Sequence, residues 1–480
     1  MALVLIVLPL LLAVLAWMLP AGKRPWLLPL SASLHAVLIL AVLLAPGLLP
    51  AGDWLALDAP GRLVLLLVGL MNLCCGFYAV GYLKRRPERP NRVFVACLTA
   101  LPSAMALAVL SQHLGLLWVA VEATALFSAP LIWFNRTPRS IEATWKYLLV
   151  GSVGIALALL GTFFLAYASL YGGGDTTLTV GRLLEQAPQL SRPWLRAAYI
   201  LLLVGYGTKM GLAPMHTWKP DAYGEAAGVV GATLATGVTA CAFLALLRVT
   251  HLCQVAGEGP FALRLLLVMG LFSMAVAGVF MIGQRDLKRL LAWSSVEHMG
   301  ILALGLGLGR AALWGTLLHL LANGLGKGVL FLSAGNIHRA YASKRVEEIS
   351  GVLRRLPLSG TLFLAGFLAI TGSPPFAPFI SEFAILRAAF GTGQFLPGAL
   401  FLVFLLLVFI GMGATVLRVV QGPLPQDDPE LEAARPDVED RLTVIPILVL
   451  MGLVLLLGLW IPAPLQGLLQ DAVRYLEVPA

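Results

Sequence analysis

The stretch "AAYILLLVGYGTKMGLAPMHTWKPDA", residues 197–222, joins an apolar run to a polar segment that contains prolines. Lys209 lies among glycines, and Pro214 follows five residues later. A lysine in hydrocarbon costs roughly 2.5–3.5 kcal/mol on insertion scales, and a proline inside a helix kinks or breaks it. The stretch therefore predicts either a broken membrane helix with a compensated charge, or a segment that does not cross a membrane.

Composition decides between these alternatives. The chain has 480 residues, of which 59% are hydrophobic and 12% are charged, and its mean hydropathy is +0.89. Apolar runs of about twenty residues recur along the whole chain, as membrane helices require, and they are continuous where barrel strands would alternate. We count about fourteen, near 2–20, 26–45, 61–83, 92–111, 113–134, 141–171, 194–217, 224–252, 261–283, 287–308, 311–336, 357–391, 395–421 and 441–464. The sequence predicts an all-α, polytopic membrane protein whose first run is a retained helix.

Basic residues predict its orientation. If the loops alternate sides, most Lys and Arg fall on one side, in loops that include 84–92 and 339–355 and to which we also assign Lys219 and Lys288. The positive-inside rule makes that side cytoplasmic and both termini extracytoplasmic. The net charge of +9 is explained by this signal and does not indicate a nucleic-acid partner.

No cofactor or metal site is expected on this chain. The five cysteines form no CxxC pair, and there is neither a P-loop nor a GxGxxG motif. We interpret the cysteines as small buried hydrophobes. The acidic stretch 421–441 is expected to be a cytoplasmic linker, either a solvated loop or a docking segment for a partner.

Few ionisable residues fall deep in the predicted helices. Left isolated, eight such groups would cost on the order of 20 kcal/mol, so they must be paired, neutral or hydrated. They are Glu122, Lys146, Lys209, Glu297, His298, His319, Lys327 and Glu382.

The first half contains a possible ion pair. At 1.5 Å per residue, Glu122 lies roughly 14 Å and the Cα of Lys209 roughly 20 Å from the outer surface, with the ammonium leaning back toward Glu122. Alternatively, Lys209 extends to the cytoplasmic surface, helped by Pro214 and His216. Lys146 lies four residues after Glu142, a spacing that also suits a simple pair within one helix.

The second half contains a polar stripe. His319, Asn323 and Lys327 step by four residues, which places them on one face of the eleventh predicted helix, for either a hydrogen-bonded file or packing alone. Glu297 and His298 follow Ser294 and Ser295 in the tenth. His298 is then either a structural histidine bonded to a carbonyl or a member of a proton relay.

Prolines predict a second broken helix. Pro374 and Pro375 interrupt the twelfth apolar run, and Glu382 follows the interruption. Freed backbone carbonyls at membrane depth require protein interior or water, and two broken helices in the two halves are typical of transporters built from repeats. Burial disfavours the charged forms of lysine and glutamate, so a row of such groups linked by water can exchange protons near neutral pH.

The chain resembles the proton-translocating, antiporter-like membrane subunits of respiratory complex I, Mrp antiporters and hydrogenase-4-type complexes. The segment "KMGLAPMHTWKPDA" looks like the family's seventh-helix signature, and "SSVEHMGI" is most similar to the hydrogenase-linked branch. The resemblance implies that the eight ionisable residues form a proton path near the membrane midplane. It also implies that other residues, at the two breaks and on the eleventh helix, support this path. The supporting residues are Pro214, His216, Asn323, Pro374 and Pro375.

The same resemblance implies fourteen helices in two inverted five-helix repeats, with helices 7 and 12 broken. The first repeat would span 92–252 and the second 261–421, after an N-terminal region within 1–111 and before a linker and last helix in 422–480. The sequence departs from the family at Ala240, where a basic residue is frequent, and at Asn323, where histidine is frequent.

The expected function is proton translocation by a non-redox subunit of an energy-coupling oxidoreductase complex in a prokaryotic inner membrane. Expected partners are neighbouring membrane subunits, a cytoplasmic hydrogenase-like arm with iron–sulphur clusters, and lipids. The alternatives are a subunit of an Mrp-type cation/proton antiporter, the membrane subunit of an inorganic-carbon uptake complex, and a structural scaffold whose charges merely pair.

Overall fold

Long apolar runs become long helices because a helix satisfies its own backbone hydrogen bonds in lipid. The computed structural model describes residues 1–49, 52–423 and 439–477, and within them the regular elements are helices, joined by three isolated β-bridges. The α-helices are α1 (Ala2–Met18), α2 (Leu27–Leu44), α3 (Ala59–Lys84), α4 (Arg92–Leu110), α5 (Leu114–Ile132), α6 (Pro138–Tyr171), α7 (Val180–Glu185), α8 (Arg192–Met210), α9 (Trp218–Glu225), α10 (Gly228–Thr233), α11 (Thr239–Val255), α12 (Gly259–Met281), α13 (Leu287–Gly307), α14 (Leu313–Tyr341), α15 (Val352–Arg355), α16 (Pro357–Ile370), α17 (Ala377–Gly391), α18 (Phe395–Gln421), α19 (Arg441–Leu459) and α20 (Ala463–Leu476).

Eleven helical stretches of the described residues are long and apolar enough to cross a membrane. One of them is the continuous run Gly228–Val255, in which a π-helical turn at Leu234–Val238 joins α10 to α11. The prediction of an all-helical, polytopic membrane protein is thereby confirmed. The number fourteen, the inverted repeats and their boundaries stay predictions, and the linker prediction falls largely on residues 424–438, outside the described part of the chain.

The chain is interrupted after α8. This helix ends at Met210, and Gly211 takes a left-handed φ of +88°, which a residue with a Cβ rarely adopts. The Lys219 ammonium donates to the Met210 carbonyl at 2.7 Å, and the Trp218 indole donates to the Thr208 carbonyl at 2.9 Å. Carbonyls freed at the helix end are thus satisfied by side chains of the next helix.

A second interruption separates α16 from α17. Here Gly372 has a φ of +68°, and a Cβ at this position would collide with Oε2 of Glu382. The glycine therefore serves both the turn and the close approach of the carboxylate. Pro374 and Pro375 lie in this connection and are exposed, whereas Glu382 is 5% exposed.

Helices pack closely where a glycine of one helix faces the backbone of its neighbour. A Cβ on Gly205 of α8 would lie 2.6 Å from the backbone nitrogen of Ala158 in α6. In the second half, a Cβ on Gly270 of α12 would lie 2.5 Å from the nitrogen of Leu304 in α13. Small residues allow such approach between membrane helices, and it fixes the spacing of the side chains that α6, α8 and α13 carry.

A buried ion pair ties three helices together at the end of the molecule where α3 begins. Asp58 caps α3, and its carboxylate accepts hydrogen bonds from Nε and Nη2 of Arg248 in α11, at 2.7 and 2.9 Å. The same guanidinium donates to the carbonyls of Ala108, Val109 and Ser111 at the end of α4. We call this group the Arg248 clamp, and the sequence analysis did not find it.

We call the side of the molecule with the loops 84–92 and 339–355 the basic side. An open cavity of about 770 Å³ lies there, lined by several Arg and Lys residues that include Arg139 and Arg289. The assignment of Lys219 and Lys288 to loops is wrong, because they lie in α9 and α13 and their exposed fractions are only 0% and 1%. Both ammonium groups donate to backbone carbonyls, which offset the cost of burying them.

Candidate functional site

Glu122 of α5 and Lys209 of α8 face each other inside the first half. Nζ of Lys209 lies 3.8 Å from Oε2 of Glu122 and 5.2 Å from the centre of the Tyr147 ring. Lys209 is 1% exposed, so its side chain does not extend to the surface. The pair is an ion pair without a hydrogen bond, because 3.8 Å exceeds hydrogen-bond distance.

Glu122 is more exposed than Lys209. The Glu122 side chain is 21% exposed, and Ser152 of α6 donates to its Oε1 at 3.2 Å. Oε2 of Glu122 and Nζ of Lys209 have no hydrogen-bond partner among the described residues. Each therefore keeps hydrogen-bonding capacity that a water molecule or a moving proton can use.

Lys146 lies apart from this pair, on a more open face. Its side chain is 47% exposed and contacts Glu142 at 2.6 Å and Asp221 at 2.9 Å. Arg289 of α13 also pairs with Asp221. Lys146 is therefore not enclosed by this chain, and the alternative of a pair with Glu142 is present, extended by Asp221 to α9 and α13.

Two histidines meet in the second half. Nδ1 of His298 in α13 lies 3.0 Å from Nε2 of His319 in α14, and Nδ1 of His319 lies 2.9 Å from Oγ of Ser381 in α17. On the other side, Nε2 of His298 lies 3.7 Å from Oε2 of Glu297. The three helices thus build a row of polar atoms from Glu297 to Ser381, in which the 3.7 Å step between Glu297 and His298 is not a hydrogen bond.

Glu382 lies beside both histidines of this row. One ligand atom each of His298, His319 and Glu382 lie within 4.8 Å of one another, and Oε1 of Glu382 has no hydrogen-bond partner in the described residues. Such a set has the donor types that a metal ion would use, and equally those of a proton relay.

Among the described residues, no direct hydrogen bond joins His319, Asn323 and Lys327 to one another. Lys327 donates to Oγ of Ser294 in α13 at 2.5 Å, and His319 binds α13 and α17 as above. Asn323 is buried, and its Oδ1 has no hydrogen-bond partner among the described residues. A shared helical face brought these residues to one interface, but their partners belong to neighbouring helices.

Lys219 is the site residue that sequence reasoning missed. Its Nζ lies 2.7 Å from the Met210 carbonyl, next to Lys209, and 3.4 Å from the Ser295 carbonyl, next to Ser294. It therefore lies between the Glu122–Lys209 pair and the contact of Lys327 with Ser294. Its position just after the Pro214 break, where the chain must return to cover freed carbonyls, was the signal available in the sequence.

The matched family covers the helices that hold these groups. Residues 111–411 match the family described as "NADH:quinone oxidoreductase/Mrp antiporter, TM". The chain belongs to this family. The site residues from Glu122 to Glu382 all fall inside the matched region.

This antiporter-family chain is similar to subunits of several complexes. It is 33% identical over 381 residues to "Hydrogenase-4 component F homolog" of Methylacidiphilum infernorum, covering 78% of this chain and 79% of that protein. A chain of respiratory complex I from Thermus thermophilus superposes with a TM-score of 0.75 at 29% identity, covering 96% and 98% of the two chains. A chain of an archaeal membrane-bound sulfane sulfur reductase shares the fold, with a TM-score of 0.87 at 22% identity over 99% and 97%.

Two further predicted residues lie in the connection after α8 of this antiporter-family chain. Pro214 lies in the connection after α8, and the His216 ring is 5.2 Å from the ring of Trp293 in α13. Ala240, where the family frequently has a basic residue, is buried in α11. The structure thus has an apolar side chain at that position and a buried lysine, Lys219, between its halves.

Proposed function

We propose that this chain is the proton-translocating membrane subunit of a multi-subunit energy-coupling complex. The observation that carries the proposal is the set of buried lysine, glutamate and histidine side chains that extends across α5, α8, α9, α13, α14 and α17. Unpaired polar atoms in a membrane interior are expensive, and this chain keeps several where protons could occupy them. A membrane scaffold would have no use for them.

The proposed path begins at Glu122 and Lys209. It continues through Lys219, which replaces the missing basic residue of α11 as the connection between halves. From there it reaches the Lys327–Ser294 contact and Glu297, with Lys146 as a peripheral member on the basic side. Moving a charge on one buried group changes the proton affinity of the next, which is how such a row can be driven.

The last segment relays a proton through hydrogen bonds that can reverse. In one arrangement Nδ1 of each histidine donates, His319 to Ser381 and His298 to His319, while Ser381 donates to the Pro378 carbonyl at 2.8 Å. Nε2 of His298 then faces Glu297 as an acceptor. When Glu297 delivers a proton there through a bridging water, the Nδ1 proton of His298 passes to Nε2 of His319, and the Nδ1 proton of His319 passes to Oγ of Ser381. Ser381 in turn gives up its own hydroxyl proton, which leaves the Pro378 carbonyl and passes toward Glu382. Both nitrogens of each ring are used.

The partners follow from the relatives. Because its relatives are membrane subunits of hydrogenase, complex I and Mrp type, we expect this chain to pack against neighbouring membrane subunits. We also expect a cytoplasmic electron-transfer arm of hydrogenase type that carries the iron–sulphur clusters. We place the chain in a prokaryotic inner membrane with both termini extracytoplasmic and no cofactor of its own.

The test measures coupled proton uptake by proteoliposomes that contain the assembled complex. Lys219→Met should abolish uptake, because it removes the connection between the halves. Lys288→Met is the matched control, since Lys288 is equally buried and also donates to a carbonyl, but lies outside the path. Normal uptake by Lys219→Met would refute this path, and uptake that requires Na⁺ would favour the cation/proton antiporter.

A further inference from the structure

An apolar groove opens along α1 and α4 on the outer surface of the molecule. It has a volume of about 370 Å³ and is lined by Ala13, Trp17, Ala96, Ala100 and Phe127, among others. Its described lining is almost purely apolar. The groove runs along both helices toward the basic side, because α1 ends at Met18 and α4 begins at Arg92.

A basic pocket of about 620 Å³ lies at the end of this groove. The connection between α1 and α2 and the connection between α3 and α4 form its walls, with Lys84, Arg89 and Arg92 among the lining side chains. None of the described residues that line it is acidic. The Arg92 guanidinium lies 5.3 Å from the ring centre of Trp17, so the basic pocket begins where the groove ends.

The walls of the pocket are fixed by buried hydrogen bonds. Arg24 donates to the carbonyls of Ala16 and Leu19 and to Oδ1 of Asn91, and Asn91 donates to the Ala21 carbonyl at 3.1 Å. Arg24 is thus occupied in joining the two connections. Lys84, whose Nζ lies 5.2 Å from the Trp26 ring centre, and Arg92 are exposed and directed by aromatic rings.

We propose that the groove and the pocket together bind one anionic glycerophospholipid. An acyl chain fills the groove, and the phosphate and the anionic headgroup meet Lys84, Arg89 and Arg92. The groove alone does not select a lipid, because hydrocarbon gains little by moving from lipid to apolar protein. Selectivity comes from the cations, and a zwitterionic lipid would bring its ammonium group into a pocket without acidic side chains. Tryptophan, lysine and arginine side chains are typical of the depth at which lipid headgroups lie, and Trp17, Trp26, Lys84 and Arg92 are close together here.

The experiment titrates the detergent-purified full chain with phosphatidylglycerol and with phosphatidylcholine of the same acyl chains, and counts bound lipid by native mass spectrometry. We expect phosphatidylglycerol to be retained preferentially. Arg89→Gln and Arg92→Gln should each weaken its binding about fivefold, which is the effect of roughly one cation near an anionic lipid. Arg285→Gln is the matched control, because this exposed arginine is on the basic side but outside the pocket.

Two further measurements separate the sources of the anion. Ala96→Phe fills the groove without changing a charge, and should also reduce retention of phosphatidylglycerol. Glycerol 1-phosphate, which carries the phosphate without acyl chains, should compete poorly. Equal binding of both lipids, unchanged binding in the two arginine variants, or full competition by glycerol 1-phosphate would overturn the proposal. Loss of the lipid on assembly of the complex would assign the groove to a neighbouring subunit instead.

Discussion

Lys209 has its ammonium in the protein interior, 3.8 Å from Oε2 of Glu122. We predict that Lys209→Met and Glu122→Gln each reduce coupled proton uptake by about tenfold or more, equivalent to roughly 1.4 kcal/mol or more in the rate-limiting barrier. The methionine keeps length and apolar packing but removes the exchangeable proton, and the glutamine removes the counter-charge. Uptake by proteoliposomes of the assembled complex measures both effects.

The double variant distinguishes transport from stability. Removing one partner leaves a buried charge unpaired, which costs more than removing both. The double variant should therefore assemble at least as well as either single variant and remain inactive. Lys23→Met, on an exposed residue of the basic side, is the control. Normal coupled uptake by Lys209→Met would show that this lysine is only structural.

His319 and Asn323 share a helical face but not a role. We predict that His319→Gln abolishes coupled uptake, because an amide has a fixed donor end and a fixed acceptor end and cannot pass a proton on. Asn323→Ala should leave uptake nearly normal, because the proposed path passes from Lys327 to Ser294 and Glu297 and does not include Asn323. Equal loss in both variants, at equal amounts of assembled complex, would favour a continuous file along α14.

The sequence predicted which ionisable groups are buried better than it predicted their partners. The positions of Lys209 and Glu122 followed from helix rise and side-chain direction. The pairing of His319 with His298 did not, because helical spacing specifies a face and not the neighbour that covers it. Lys219 was missed because a polar segment after a proline was interpreted as an exposed loop.

The close contact of α6 and α8 depends on Gly205. We predict that Gly205→Ala lowers the stability of the purified chain by about 1–3 kcal/mol through overpacking against Ala158. Gly452→Ala in α19 is the control, because nothing lies within 4 Å of a Cβ there. Thermal unfolding in detergent measures both, and equal melting temperatures would mean that α6 and α8 can separate without loss.

The Arg248 clamp joins α3, α4 and α11. We predict that Arg248→Met destabilises the chain by about 3–5 kcal/mol, because Asp58 is left buried without its counter-ion. Arg248→Met combined with Asp58→Asn should recover part of that loss. Denaturation in detergent measures both variants, and a milder effect of the single variant than of the double one would contradict the clamp.

Element boundaries followed from apolar runs and prolines, whereas contacts between distant elements did not. The breaks after Met210 and Ile370 were expected from Pro214 and from the pair Pro374–Pro375. The clamp was not, because Asp58 and Arg248 are separated by 190 residues and neither lies in a recognisable pattern.

The orientation of the molecule is open to direct measurement. In a cysteine-free background, we predict that Arg86→Cys and Arg354→Cys react with a membrane-impermeant thiol reagent only when it is added from the cytoplasmic side. Arg192→Cys, at the opposite end of the chain's helices, should react from outside. The positive-inside rule gives the reason, and the reverse labelling pattern would invert the proposed topology.

The contact between Lys219 and the Ser295 carbonyl has a consequence for biosynthesis. Ser295 is translated 76 residues after Lys219, so α8 and α9 enter the membrane while half of this lysine's final environment has not yet been made. Until α13 arrives, the ammonium group has the Met210 carbonyl and whatever water enters the break after α8. We therefore expect the newly inserted first half to be more hydrated around Lys219 than the finished fold. A chain whose translation stops before α13 would retain an open, charged cleft in the bilayer, which membrane proteases could recognise as unfinished.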